Sequence, residues 1–463
     1  MACLARLALA VLLAPLAVAQ APAGDWEGAI DVGQPEPLRL VLHVAPAADT
    51  LAVTLDVPQQ GAVGLPASGV RSTPDSLVVD YAMFGGRFDL AVAADSLHGT
   101  FSQGPATFPI AMTAAAPVRR PQEPQGPFPY ATEDVAVESD AGVTLAGTFV
   151  RPEGAGPFPA VVFLSGSGAQ DRDESIAGHR PFAVLADALA RAGVASLRAD
   201  DRGTGDSTGD FSVSTLETHL ADARALVAAL RQRDDVAAVG VVGHSEGGLT
   251  ALRVAGDVDF AVTLAGPAVP FWKVYPTQME RAAAFGGVDA AAAAGYGAAV
   301  AAAIAPLVAA PEAPSDSLRP AMDAAFNTAL AEVPTGQRMR LGLSGPAYQQ
   351  NKDQMLSVFL SPGFRRLLTY DPAPDVAALD VPLLALYGGK DFQVPAELNA
   401  DPLREAVGDD PDVSVVVVDD ANHLFQTAGT GALAEYAQIE ETIAPETLQR
   451  IVTWVVETSA ASE

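Results

Sequence analysis

The run Val239-Gly-Val-Val-Gly-His-Ser-Glu-Gly-Gly-Leu249 constrains the fold of this chain more than any other stretch. It begins with residues typical of a buried strand, and an Ala- and Leu-containing helical pattern follows it. Between them, Gly243-His-Ser-Glu-Gly247 fits the pattern G-x-S-x-G, in which a serine lies at a sharp turn from strand to helix. The helix beyond the turn begins with unpaired N–H groups that suit a developing negative charge. The run therefore predicts a nucleophilic serine above a sheet, and the alternative is a glycine-rich loop without chemistry.

After residue 131 the sequence alternates between buried strands and amphipathic helices. Helical patterns cover Phe182–Ala192, Thr215–Gln232 and Pro445–Thr458. Strands joined by helices of about ten or more residues indicate a mostly parallel sheet covered on both faces. Residues 268–365 interrupt the alternation with Ala-rich helical sequence, which predicts a helical cap over the carboxyl ends of the strands. The predicted strands are Val135–Glu138, Val143–Val150, Ala160–Leu164, Val194–Arg198, Val239–Val242, Phe260–Ala265, Val381–Tyr387 and Val413–Val418.

Residues 20–115 have a different pattern, in which short runs of Val, Leu and aromatic residues alternate with Gly, Pro and Asp. Turn residues that recur at about eight- to twelve-residue spacing are typical of a small antiparallel sandwich or barrel. Residues 116–130 are rich in proline and predict an extended linker. We expect the first domain to fold independently and a chain that starts near Pro127 to stay folded. The predicted strands are Leu38–Val44, Leu51–Val57, Ser76–Tyr81, Gly86–Ala93 and Leu97–Phe101.

A nucleophilic serine needs a base and a carboxylate. His423 follows the strand Val413–Val418, so it is expected at the same sheet edge as Ser245. Asp391 follows the strand Val381–Tyr387 and can hold the imidazole in the required tautomer. The chain order Ser245, Asp391, His423 is that of α/β-hydrolases.

Other residues compete less well for these roles. Asp419 and Asp420 are rival carboxylates, but they lie in the loop of the histidine itself. His244 is next to Ser245 and points elsewhere. His179 is a possible pocket residue, and His219 is expected at the surface or the edge of the core.

Two backbone N–H groups are expected to bind the oxyanion. One belongs to Glu246, the residue after the nucleophile. The other is assigned to Ser167, because the strand Ala160–Leu164 ends in Ser165-Gly-Ser-Gly168. The glycines of that loop let the backbone approach a substrate oxygen, although an ordinary glycine-rich turn would have the same sequence.

Residues 1–19 predict a secretory signal, with Arg6 before an apolar run and Ala17-Val-Ala19 as the cleavage site. Export to the periplasm or the outside is therefore expected after cleavage near Ala19. The one cysteine, Cys3, lies in this segment, so the mature chain is expected to have no disulfide and no cysteine-bound metal. No later segment is expected to span a membrane.

The chain is strongly acidic, with a formal net charge of −29. This argues against nucleic acid and anionic membrane surfaces as partners. The acidity fits either a salty habitat or a simple need for solubility.

Two acidic loops, Asp171-Arg-Asp-Glu174 and Asp200-Asp-Arg-Gly-Thr-Gly-Asp206, admit two interpretations. They could bind a metal, but neither has the spacing of a calcium-binding loop. Ion pairs between Asp and Arg that fix the loops around the site are the favoured interpretation, and no metal or cofactor is expected.

Several motifs together resemble a known family. They are Leu164-Ser-Gly-Ser-Gly-Ala-Gln-Asp-Arg-Asp-Glu174, Asp201-Arg-Gly-Thr-Gly-Asp-Ser207, Gly243-His-Ser-Glu-Gly-Gly248, Gly388-Gly-Lys-Asp-Phe-Gln-Val-Pro395 and Asn422-His-Leu-Phe-Gln426. Over residues 130–458 the chain is similar to exported bacterial α/β-hydrolases of the serine aminopeptidase-like (hydrolase 4) group, which include small carboxylesterases of the EstD type.

The resemblance implies an α/β-hydrolase fold for residues 131–463, with Ser245, Asp391 and His423 as the triad. It implies a serine esterase that acts on small-molecule esters. Separately, the small side chains of the Ala-rich residues 268–365 predict a modest pocket and a preference for short to medium acyl chains. A peptidase or thioesterase that uses the same triad, and a catalytically idle binding protein, are the alternatives. The sequence leaves the oligomeric state open.

Overall fold

A computed structural model of the chain describes residues 23–461, apart from 34–36, 48–49, 59–61, 94, 117 and 346–347. The chain divides into two compact units between residues 117 and 118. The predicted signal segment, residues 1–19, lies outside the described residues, so export remains a prediction from the sequence.

The first unit is one nine-stranded antiparallel sheet in the order β4-β3-β2-β1-β9-β8-β7-β6-β5. The segment between β4 and β5 connects the two ends of this sheet. Ala67 N–H donates to the Val53 oxygen in β3, and Ser68 N–H donates to the Asp80 oxygen in β6. Of the two predicted shapes, this is the barrel. The strands are β1 Gly24–Ile30, β2 Leu38–Ala47, β3 Thr50–Val57, β4 Ala62–Pro66, β5 Gly69–Thr73, β6 Ser76–Tyr81, β7 Gly86–Val92, β8 Ser96–Gln103 and β9 Ala106–Ala114.

Four of these strands were not predicted, namely β1, β4, β5 and β9. Strands β4 and β5 are short and largely exposed, so alternation of apolar residues is weak there. Strand β9 contains Pro109, a residue that argues against a strand. Pro109 is tolerated because β1 pairs with β9 only at residues 112–114. Inside the barrel, Leu42, Val79, Phe88 and Met112 are fully buried.

The second unit contains an eight-stranded mixed sheet in the order β10-β11-β13-β12-β14-β15-β16-β17. Strand β11 is antiparallel to both of its neighbours, β10 and β13. The six strands from β12 to β17 are parallel to one another. Fully buried Val161, Val241, Val262 and Leu386 form its centre. The strands are β10 Ala131–Glu138, β11 Thr144–Arg151, β12 Phe158–Leu164, β13 Ala195–Ala199, β14 Val236–His244, β15 Phe260–Leu264, β16 Leu383–Gly388 and β17 Val413–Val418.

Helices join these strands, so the unit agrees with the predicted mostly parallel sheet with helical connections. The predicted helix Thr215–Gln232 begins one residue later, because the Thr215 hydroxyl accepts from Thr218 N–H as an N-cap. The helices outside the cap are α1 Pro181–Arg191, α2 Leu216–Arg231, α3 Glu246–Val254, α10 Ala373–Ala377, α11 Ala396–Val407, α12 Leu433–Tyr436 and α13 Pro445–Ala461.

The described residues contain seven helices between β15 and β16, and the first six of them form the predicted cap. They have an apolar core of their own, in which Ala299, Val300, Phe326 and Leu356 are completely buried. The cap helices are α4 Phe271–Phe285, α5 Ala290–Ala309, α6 Ser315–Leu330, α7 Thr335–Arg340, α8 Tyr348–Phe359 and α9 Pro362–Thr369.

Helix α5 corrects the expectation that no later segment is long and apolar enough to span a membrane. Its 20 residues have a mean hydropathy of 1.7, and it is the one described helix that meets the length and composition of a span. The sequence had suggested otherwise because alanine is only weakly apolar. In this structure 44% of the window is buried, and the helix packs against α4 and α6.

The predicted linker is partly integrated into the second unit. We call residues 118–123 the strap. The Arg120 guanidinium donates to the backbone oxygens of Gly178 at 3.0 Å, Ala437 at 2.7 Å and Ile439 at 2.9 Å. Gln122 exchanges hydrogen bonds with the backbone of Thr442 and Ile443 at 2.6–3.1 Å. The strap therefore ties the start of the second unit to the segment just before α13.

These contacts change where a shortened chain should begin. We expect a protein that starts at residue 118 to fold and to keep Ser245 reactive towards a fluorophosphonate. A protein that starts at Pro127 should unfold at a lower temperature, because each lost hydrogen bond typically contributes about 0.5–1.5 kcal/mol. Thermal unfolding and labelling of the two proteins provide the comparison. Equal Tm and equal labelling would show that the strap contributes nothing.

Candidate active site

Ser245 lies at the turn between β14 and α3, in a backbone conformation that few residues adopt. Its φ of 53° is in the left-handed region, which costs energy and is characteristic of functional positions. The turn requires two of its glycines. A Cβ on Gly243 would lie 2.1 Å from the Gly247 oxygen, and a Cβ on Gly247 would lie 2.0 Å from the Leu164 oxygen. The predicted sharp strand-to-helix turn is thus present, and Ser245 is partly exposed at its tip.

Asp391 and His423 form a buried hydrogen-bonded pair. The distance from His423 Nδ1 to Asp391 Oδ2 is 2.7 Å, and the two residues are 5% and 1% exposed. The other carboxylate oxygen accepts from the N–H groups of Gln393 and Val394 at 2.7 and 3.0 Å. These backbone donors fix the carboxylate so that Oδ2 faces the imidazole.

The rival carboxylates do not reach this histidine. Asp420 pairs with Lys390 at 2.9 Å and is largely exposed, and Asp419 is exposed as well. The hydrogen bonds among the described residues include none from either of them to His423. Among the described residues, neither Ser245 Oγ nor His423 Nε2 makes a hydrogen bond, so both atoms are available for chemistry.

His179 is a buried residue that contacts Gln426 in the loop of His423, whereas the sequence allowed it to be a pocket residue. It is completely buried, with Nδ1 3.0 Å from the Thr442 hydroxyl and Nε2 2.8 Å from the Tyr436 oxygen. Burial lowers the pKa of His179 to about 4, so the ring is neutral at physiological pH. Gln426 contacts the same ring and bonds Asn422, the residue before His423.

The loop that carries Ser167 is held at both ends by Asp201. Its carboxylate accepts from the Ser165 hydroxyl at 2.6 Å and from Gln170 N–H at 2.9 Å. Burial raises the pKa of Asp201 to about 6. Within the described part of the chain, Ser167 N–H donates no hydrogen bond, so it is free to bind an oxyanion as the sequence analysis assigns.

His219 lies in the site region, at the partly buried end of α2. Its Nδ1 is 3.1 Å from Oε1 of Glu246, the residue whose N–H group is the other predicted oxyanion donor. Burial alone would lower the pKa of His219, but the Glu246 carboxylate outweighs burial and raises it. The sequence analysis missed this contact because it depends on the crossing of α2 and α3.

The acidic loops form ion pairs with arginine, as the favoured interpretation predicted. Arg172 binds Asp200 at 2.6 Å, Arg202 binds Asp222 at 2.6 Å, and Arg198 binds Asp173. Among the described residues, no group of three or more His, Cys, Asp or Glu side chains is arranged to hold a metal ion.

Two site residues were not recognised from the sequence, Glu174 and His244. Glu174 is completely buried, and its Oε1 accepts from Gly166 N–H at 2.7 Å and lies 2.8 Å from His244 Nδ1. On its other side, His244 Nε2 donates to the backbone oxygen of His423 at 3.0 Å. The sequence analysis favours ion pairs with arginine for this loop, and only the fold shows that the Glu174 carboxylate turns inward and contacts His244.

The cap contacts the site at two places. Arg281 of α4 donates to the backbone oxygen of Asp391 at 3.3 Å, and the rings of Phe285 and Phe392 meet edge to face. Near the nucleophile, Leu249 of α3 packs with cap aromatics that include Phe271 and Phe364. A packed apolar cluster therefore lies one helical turn from Ser245.

Comparisons with known proteins agree with this architecture. Residues 179–292 match the family model Hydrolase_4, described as serine aminopeptidase, S33. Esterase EstD of Thermotoga maritima is 26% identical over 333 residues, which are 71% of this chain and 68% of that protein. The structure of the Pyrococcus furiosus esterase Pf2001 is 15% identical, with a TM-score of 0.42, and covers 72% of this chain and 93% of that one. A proline iminopeptidase from Mycobacterium smegmatis is 15% identical, with a TM-score of 0.42, and covers 72% of this chain and 100% of that one. The chain is thus similar to hydrolases, and the family model matches within its second unit, at residues 179–292.

Proposed function

We propose that this protein is a serine hydrolase that cleaves carboxylic esters through an acyl-enzyme intermediate. The observation that carries the proposal is the buried pair of His423 and Asp391, 2.7 Å apart, in the same unit as a serine at a sharp strand-to-helix turn. The similarity to esterase EstD supports esters as the substrate class.

In the first half of the reaction, Ser245 Oγ attacks the ester carbonyl carbon and His423 Nε2 takes the hydroxyl proton. The Asp391 carboxylate stabilises the imidazolium that forms, because it already accepts from Nδ1. The carbonyl oxygen becomes an oxyanion, and the N–H groups of Ser167 and Glu246 stabilise it. Collapse of this intermediate expels the alcohol, which leaves with the proton held on His423.

In the second half, water replaces the alcohol. His423 takes a proton from the water as it attacks the acyl carbon, and a second oxyanion forms in the same place. When this intermediate collapses, Ser245 Oγ leaves and takes the proton back from His423. The carboxylic acid departs and the starting enzyme is restored without any cofactor.

A labelling experiment tests the proposal directly. Purified protein is treated with a fluorophosphonate, and the modified residue is mapped by mass spectrometry. We expect one modified serine, Ser245, together with hydrolysis of p-nitrophenyl esters that the label abolishes. Turnover that survives complete modification of Ser245 would contradict the mechanism.

The cap points to a limited acyl pocket. Four of its aromatic rings pack on one another with centroids 5.3–6.2 Å apart, and they adjoin the apolar surface at Leu249. Closely packed rings leave room for a short chain and resist a long one. The four are Phe271, Tyr275, Phe359 and Phe364.

We therefore expect kcat/KM to rise from acetate to a medium chain length and then fall. Each methylene that fits adds about 0.8 kcal/mol of burial, and overpacking costs about 1–3 kcal/mol. The measurement is a series of p-nitrophenyl esters from acetate to palmitate.

Two variants sharpen this test. Phe364→Ala should move the optimum to longer chains, because it removes a ring from the packed cluster. Met339→Ala, at an exposed cap position, should leave the optimum where it is. A wild-type maximum at palmitate, or activation at an emulsion surface, would indicate a lipase.

Peptidase activity is the second candidate, since the matching family model is described as a serine aminopeptidase. The same triad can cleave an amide, so the two activities are distinguished by substrate. Aminoacyl p-nitroanilides and an acyl thioester, tested beside the esters, decide between them. A kcat/KM for the aminoacyl amide above that for every ester would replace the ester assignment.

A further inference from the structure

We propose that Glu174 and His244 are positioning residues that hold the oxyanion loop and the catalytic histidine in place around Ser245. The inference rests on the proposed function, because it concerns the same reaction. The starting observation is the motif Asp171-Arg-Asp-Glu174. Its middle residues form ion pairs, Arg172 with Asp200 and Asp173 with Arg198. Glu174 differs, because it is completely buried.

One oxygen atom of Glu174 joins two parts of the site. Oε1 accepts from Gly166 N–H at 2.7 Å, and Gly166 directly precedes Ser167, the proposed oxyanion donor. The same oxygen lies 2.8 Å from Nδ1 of His244, the residue before the nucleophile. The space between them is tight, since a Cβ on Gly166 would be 3.0 Å from this oxygen and 3.3 Å from Ser245 Cβ. A shift of Glu174 would therefore move the oxyanion loop against the nucleophile.

His244 carries the connection to the base. Its Nε2 faces the backbone oxygen of His423 at 3.0 Å, and a carbonyl can only accept, so Nε2 carries a proton. The two rings lie 4.7 Å apart, and His423 Nδ1 is fixed by Asp391. His423 is thus held at its backbone by His244 and at its ring by Asp391. Both contacts are buried, where hydrogen bonds keep a fixed geometry.

The pair is costly to maintain, which argues for function over stability. Glu174 has a φ of 52°, a strained conformation for a residue with a side chain. Its second oxygen, Oε2, is buried without a hydrogen-bond partner in the described part of the chain. A buried polar atom left in this state loses solvation and gains nothing in return.

The charges follow from the same geometry. Burial alone would lower the pKa of His244, but the Glu174 carboxylate outweighs burial and raises it. The raised pKa favours the protonated form of His244, whose ring lies beside the ring of His423. The groups that face His244 are Glu174, the His423 ring and backbone, and at longer range Asp391.

The test compares Glu174→Gln and Glu174→Ala with wild type. Gln keeps the size of the side chain and an acceptor for Gly166, while Ala removes both contacts. The number of active sites is first counted by fluorophosphonate labelling. The kinetic constants for p-nitrophenyl butyrate are then expressed per labelled site, so that partly unfolded protein does not contribute. Asp206→Asn is the matched control, because Asp206 also pairs with this loop, at Arg172, but is 86% exposed at its side chain.

We expect kcat per site to fall about 10²-fold in Glu174→Ala, the loss typical of a misplaced catalytic group, with a smaller fall in Glu174→Gln. KM should change little, since neither residue contacts the acyl chain. In Glu174→Gln the buried His244 loses its counter-ion and becomes neutral. The positive charge beside His423 then disappears, and the acid limb of the kcat/KM profile moves to higher pH. The Asp206→Asn profile should match wild type.

The outcomes separate the two proposals. If wild type neither labels nor cleaves esters, the proposed function fails. If wild type is active, and both Glu174 variants keep kcat per site within about twofold with the acid limb unmoved, only this inference fails. A lower Tm with unchanged kcat per site also overturns it, because that result describes a purely structural carboxylate.

Discussion

Replacing Ser245 by Ala should abolish ester hydrolysis while the fold is retained. The substitution removes the nucleophile, and the loss of such a residue from a triad can reduce kcat by about 10⁶-fold. Alanine fits the turn because the hydroxyl oxygen Oγ of Ser245 makes no hydrogen bond among the described residues, and the side chain loses only that atom. Activity on a p-nitrophenyl ester and the circular dichroism spectrum are the measurements.

Ser212→Ala is the control for this variant. Ser212 is an exposed serine that bonds Asp210, outside the site. It should behave as wild type in both measurements. Near-normal turnover in Ser245→Ala would remove the basis of the whole mechanism.

The second large effect should come from the base and its carboxylate. His423→Ala should be about as damaging as the loss of the serine. Asp391→Asn should reduce kcat by about 10⁴-fold, because an amide can donate to Nδ1 and so favours the wrong tautomer of the imidazole. The proposed oxyanion donors, Ser245 and His423 all remain in that variant, which is why its loss is smaller.

Asp420→Asn separates this explanation from a general effect of removing a negative charge near the histidine. Asp420 lies in the same loop, but it pairs with Lys390 at the surface. We expect its kcat to match wild type. If Asp420→Asn lost activity while Asp391→Asn kept it, the carboxylate would have been assigned to the wrong residue, although the reaction class would stand.

The outline of the second unit could be predicted because its central strands, β12 and β14 to β16, are buried on both faces. Strand β17 has the predicted bounds Val413–Val418, and β15 and β16 differ from prediction by only one or two residues at each end. Continuous runs of Val, Leu and Ile are a strong signal that survives any detail of packing. The strands missed in the first unit have exposed faces or contain proline, and pairing with neighbours holds them in place.

The proposed triad could be placed from the chain because each member follows a predicted strand at one sheet edge. Glu174, His219 and the strap could not. Their partners are distant in sequence, as for Glu174 and His244 at 70 residues, and the local sequence around each is polar. A polar side chain in a charged loop suggests exposure, and only the crossing of several segments makes it buried.

The strap also bears on the order in which this protein can become active during synthesis. Arg120 is separated from its partner Ala437 by 317 residues, and Gln122 from Ile443 by 321. A chain emerging from the ribosome therefore exposes these two side chains long before their acceptors exist. The acceptors lie in the same segment as Tyr436 and Thr442, whose oxygen atoms contact the buried His179 ring. The loop that carries His423, the proposed base, thus gains these contacts only after residues 436–443 have been made, so a shorter nascent chain lacks part of the proposed catalytic centre.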